Sequence, residues 1–124
     1  MTPSGFFDLV RGLGITIAVV ASLDDRTTEV FGEVAGLESK DLFQQLFGDA
    51  ESFSALDRSL KGQILPRIWS QGRVSCLVCK PSETKIVGLL YHEERSVVAR
   101  YRWSKEVNSQ VCALWAVEDS GPSD

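Results

Sequence analysis

This chain has one histidine, one methionine, three cysteines and no long run of lysine or arginine. Each scarcity closes off a class of function. A lone imidazole, His92, has no second histidine with which to build a metal site, and acid–base work would need specific partners around it. Cys76, Cys79 and Cys112 are an odd, small set that does not read as the disulfide framework of a secreted domain. Cys76 and Cys79 do have the spacing of a redox or zinc pair. They fall inside an apparent strand, however, where residues i and i+3 point to opposite faces. No second C-x-x-C and no paired histidine follow, so both are read as structural thiols.

Phosphate-binding, dinucleotide-binding, zinc-protease and nucleophile-elbow motifs are all missing. Gly12 and Gly14 lead into a strand, not into the helix N-terminus that a phosphate cradle requires. The carboxylates Asp24 and Asp25 are read as solvated turn residues. No catalytic residue, cofactor site or metal ligand is therefore expected, and the chain is read as a non-enzyme.

Long apolar runs are missing too. Residues 15–23 are only strand length, too short to cross a bilayer. The opening Met1-Thr2-Pro3-Ser4 has no basic character, so no signal peptide is expected, and a cytoplasmic location follows. The net charge of −4 and a pI of about 5.0 argue against binding nucleic acid through its phosphates or docking on an anionic membrane.

What is present describes an ordinary globular unit. The chain has 124 residues, 44% hydrophobic and 24% charged, which excludes wholesale disorder. That length suits one domain spanning residues 1–124, burying about two-thirds of its unfolded surface without a metal or disulfide. Residues 118–124 read as a flexible polar tail.

Hydrophobic spacing divides the chain into elements. Phe6, Leu9, Val10 and Leu13 recur at helical intervals, with Ser4 as a cap and Gly12 and Gly14 as stops. Residues 15–23 are rich in β-branched side chains and apolar on both faces, as a central strand should be. A turn at Asp24-Asp25-Arg26 leads to a second strand over 27–34. The period then changes. Leu42, Phe43, Leu46 and Phe47 form one helical face, and Phe53, Leu56, Leu60 and Ile64 continue beyond an interruption at Gly48 and Asp49, giving one kinked helix or two. Residues 65–70 are extended, and Pro66 confines them to a sheet edge. Residues 73–80 and 85–92 are two further strands joined by a turn at 81–84. Residues 94–117 read as a closing helix, with Val97, Tyr101, Ser104, Val107, Val111, Leu114 and Val117 near one stripe.

This order (helix, hairpin, helix, three strands, helix) resembles the Roadblock family of dynein-light-chain type. The residues that carry the resemblance are Ala18 through Asp25, similar to the family's first strand and turn, and Ile86 through Arg102, similar to its last strand entering the closing helix. The likeness spans nearly the whole chain, and profilin-like or longin-type relatives share the general layout. It implies an α/β fold: a single antiparallel sheet of about five strands flanked by three helices, two on one face and one on the other.

The resemblance also implies a function. Such domains form homodimers or heterodimers by pairing sheet edges and packing middle helices. They bind small Ras-like GTPases or scaffold signalling complexes, with no catalytic centre of their own. Carried over by position, Leu42, Phe43, Leu46, Phe47 and Phe53 of the middle helix and Ile68 and Trp69 of the edge segment are interface candidates. Two other readings fit the residues. One is a small-ligand sensor with a pocket lined by Tyr91, Trp103 and phenylalanines. The other is an assembly factor for a larger complex without a GTPase.

Overall fold

The structure is a computed structural model and describes residues 2–120. Its centre is a five-stranded antiparallel sheet in the order β2-β1-β5-β4-β3. The strands are β1 (Ile17–Ser22), β2 (Thr27–Gly32), β3 (Arg67–Gln71), β4 (Val74–Ser82) and β5 (Lys85–His92). The helices are α1 (Phe6–Gly12), α2 (Asp41–Phe47), α3 (Ala50–Leu60) and α4 (Val97–Ser120), with a 3₁₀ turn over Val34–Gly36.

The three inner strands explain their own composition. All of β1, residues 74–79 of β4 and residues 86–91 of β5 are buried, because side chains of both parities face a hydrophobic layer. One layer joins Ile17, Val19, Cys76, Val78, Ile86 and Leu90 to α2 and α3. The other joins Ala18, Val20, Leu77, Cys79, Val87 and Leu89 to α1 and α4. Cys76 and Cys79 thus lie in different layers, as strand geometry requires.

Several sequence expectations change in detail. The middle helix is two helices. Asp49 leaves the helical region at φ −152° and accepts a hydrogen bond from the Ser52 N–H at 2.8 Å, which starts α3 afresh. Each face of the sheet consequently carries two helices, not two and one. Ser4 does not cap α1. The position before that helix is Gly5, with no side-chain cap, and the Phe6 N–H bonds to the Pro3 carbonyl instead. The hairpin turn places Arg26 at φ +58°, where glycine is the usual occupant. Residues 118–120, expected as the start of a tail, belong to α4, which runs through Ser120. Residues 121–124 of that expected tail lie outside the described residues.

Candidate functional site

The two edge strands differ. β2 is exposed along nearly its whole length, whereas Ile68 and Trp69 of β3 are half-buried. Because strand side chains alternate, Ile68 packs on the α4 layer and Trp69 on the α2–α3 layer. The outer backbone edge of β3 is therefore flanked by apolar side chains on both faces of the sheet. An edge of this kind is a ready template for another chain.

The interface candidates divide accordingly. Leu42, Leu46, Phe47 and Phe53 are buried in the chain's own core. Within a single chain, then, these four expected interface residues already pack against the sheet. Among the described residues, α2 and α3 are the helices that cover that face of the sheet, so their large side chains are consumed in doing so. Phe43, Ile68 and Trp69 are half-buried at the margin of the core and keep part of their surface outward.

Sequence spacing missed the neighbouring surface. Val97 and Tyr101 lie on the same stripe as the buried Ser104, Val107 and Val111, yet they are 75% and 61% exposed. Ile64, in the segment entering β3, is 84% exposed. Together with Leu65, Pro66 and Ile68 they line an open groove of about 580 Å³ between β3 and the first turns of α4. Arg67, Arg100 and Lys105 line it as well. The missed signal is tertiary: nothing local shows that the sheet ends beneath the first turns of α4.

The entry to α4 is rigidly fixed. The Glu93 side chain is almost fully buried and accepts hydrogen bonds from Arg95 Nη1 and Arg100 Nε, each at 3.0 Å. The Arg95 guanidinium stacks over the Trp103 ring at 3.9 Å from its centroid. Tyr91 meets the same indole edge to face, with centroids 4.8 Å apart. The Tyr91–Trp103 pocket expected for a ligand sensor is thus closed by these rings packing on each other. Burial, and secondarily the charge of Glu93, push the Tyr91 phenol well above its usual range. Among the described residues, its Oη has no hydrogen-bond partner.

The residues once considered for chemistry are placed elsewhere. Cys76 and Cys79 are fully buried, and burial drives both thiols far up, so neither supplies a thiolate at neutral pH. His92 ends β5, where its Nε2 accepts a hydrogen bond from the Glu38 N–H at 3.0 Å. That contact ties the loop before α2 to the sheet. Among the described residues, no group of three or more His, Cys, Asp or Glu side chains is placed to hold a metal ion. No helix among them is long and apolar enough to cross a membrane.

No family model matches the sequence, and no curated protein matches it. Solved structures do share its fold. Myxococcus xanthus MglB superposes with a TM-score of 0.57 at 8% identity, covering 88% of this chain and 89% of that one. Myxococcus xanthus MglC gives 0.54 at 15% identity, covering 88% and 98%. A Roadblock/LC7 domain from Streptomyces avermitilis gives 0.49 at 16% identity, covering 88% and 96%. Likeness at these identities is likeness of fold alone: the chain shares the fold of MglB and MglC, with its elements in the Roadblock-like order.

Proposed function

Starting from that Roadblock-like fold, we propose that this chain is a non-catalytic, dimeric protein-binding module of the cytoplasm. In this reading it regulates a small Ras-like GTPase or scaffolds a signalling complex. The observation that carries the reading is β3: an unpaired strand edge with partly exposed apolar side chains on both faces, Ile68 on one and Trp69 and Phe43 on the other. Two copies pairing through β3 would satisfy the open backbone and cover those side chains at once. Phe43, Ile68 and Trp69 are then the interface residues. The paired surface acts on its partner by binding one of that partner's states better than the other, since only differential affinity shifts a switch.

Light scattering across a concentration series tests the dimer. A mass twice that of the 13.7 kDa chain supports it, and a strictly monomeric mass throughout overturns it. Crosslinked pull-down then tests the partner class. Recovery of a small GTPase, favoured in one nucleotide state, supports the switch. Recovery of a complex without any GTPase keeps the binding module and discards the switch.

A further inference from the structure

We propose that the groove between β3 and the first turns of α4 docks an acidic amphipathic helix supplied by a protein partner. This deepens the reading of the chain as a protein-binding module by naming the chemistry of what it binds.

The floor of the groove is apolar, and its exposure is unusual. Ile64, Val97 and Tyr101 are all more than half exposed and stand together, with Val98 beside them at 67%. Scattered exposed hydrophobics need no explanation, but a contiguous set at an unpaired sheet edge marks a contact surface. The charge around it then selects the partner. The chain carries a net charge of −4, yet the charged residues lining this groove are Arg67, Arg100 and Lys105, all cationic. Arg100 is partly neutralised by Glu93. Arg67 bonds only the neutral Gln63 side chain, and Lys105 sits over the Tyr101 ring at 4.9 Å. Among the described residues, neither Arg67 nor Lys105 has a carboxylate partner. An acidic surface with this local reversal attracts an acidic segment here and repels it elsewhere.

The geometry favours a helix over a strand. Val97, Tyr101 and Lys105 follow one another at i, i+4 and i+8, a row of about 12 Å along α4. A partner helix laid beside that row offers apolar side chains at matching intervals, with carboxylates on its flanks. An added strand would need the β3 backbone, which the dimer leaves to a second copy.

The test is selection of a random-peptide display library on the immobilised 124-residue chain. The expected winners have apolar residues at helical spacing with Asp or Glu between them. Their affinity should fall about tenfold or more in the Lys105→Glu variant, whose position lies on α4 and not on the β3 edge, and should weaken as salt is raised. The substituted position is exposed, and circular dichroism checks that the variant folds. Enrichment of basic or uncharged peptides, no enrichment over bare support, or equal binding to the variant overturns the proposal. So does binding to phosphatidylserine vesicles without enrichment of acidic peptides, which would assign the cations to a lipid surface. Light scattering on the same sample separates the two readings. A dimer that selects no acidic helix loses only the groove proposal, and a monomer that does select one loses only the dimer.

Discussion

Gly88 lies in the middle of β5, opposite Val19 of β1 on one side and Val78 of β4 on the other. Replacing glycine by alanine in a strand ordinarily stabilises, because it narrows the unfolded ensemble by about 0.4–1 kcal/mol. Here the sign should reverse. A Cβ at this position would stand 2.3 Å from Phe47 Cε2, 2.6 Å from Cζ and 3.3 Å from Cys76 Sγ. Carbon atoms in contact sit about 3.5–4.0 Å apart, so the ring would have to retreat by roughly 1.5 Å. Phe47 is buried at the end of α2 in a close-packed layer, which leaves it little room.

Overpacking of this kind costs about 1–3 kcal/mol, and Gly88→Ala should fall in the upper half of that range. For a domain of this size each kcal/mol lowers Tm by about 4 °C, so the melt should shift down by about 8–12 °C. Urea unfolding followed by tryptophan fluorescence gives the free energy directly. The double variant Gly88→Ala/Phe47→Leu isolates the cause, because the smaller side chain leaves room for the added methyl. It should be more stable than the sum of the single losses by about 1 kcal/mol or more. A Gly88→Ala midpoint equal to wild type, or strict additivity in the cycle, would show that the ring does not seat on Gly88. The assignment of Phe47 to the core would then fail.

Tyr91→Phe should leave stability unchanged or raise it by about 1 kcal/mol, since the hydroxyl it removes is buried without a partner. A clear loss in urea unfolding would reveal a hydrogen bond to that hydroxyl. Asp49 has its carboxyl held below the usual 3.8 by hydrogen bonds from the Ser52 side chain and backbone. Its contribution is therefore complete above about pH 4 and lost as pH falls through the lowered native value. Thermal melts taken from neutral pH downward should show a smaller acid-side decline in Asp49→Asn, and an unchanged decline counts against the cap. Mass-counted thiol labelling of the native chain should modify the half-buried Cys112 first, and Cys76 and Cys79 only on unfolding. Ready labelling of either buried thiol in the folded state would contradict the layer assignment.

Much of the architecture is readable from side-chain period. The runs at 15–23, 73–80 and 85–92 are apolar on both parities because helices cover both faces of the sheet above and below them, and burial on both faces leaves that mark. The opposed directions of Cys76 and Cys79 follow from the same rule. The candidate site was less legible, because it depends on where elements stop relative to one another. The stripe through Val97, Tyr101, Ser104, Val107 and Val111 is continuous along α4, yet sheet lies beneath only its later part. Trp115, off that stripe in the sequence, is buried against Phe6. Phe47 and Phe53 of the middle helices are core, because one layer of the sheet depends on them, and only Phe43 keeps surface outward among the three.

The order of the sheet also governs how the chain must be made. β1 pairs with β2 at once, but its other neighbour is β5, with Ile17 opposite Leu90 and Ser22 opposite Lys85. During synthesis from the N-terminus, β1 emerges long before that neighbour exists. Until residues 85–92 leave the ribosome, a strand apolar on both faces waits with one backbone edge open. Closing it is a non-local event of the kind that slows folding and exposes a chain to aggregation. That interval is where a nascent chain of this topology has most need of a chaperone, and a ribosome stalled before residue 85 would hold it there.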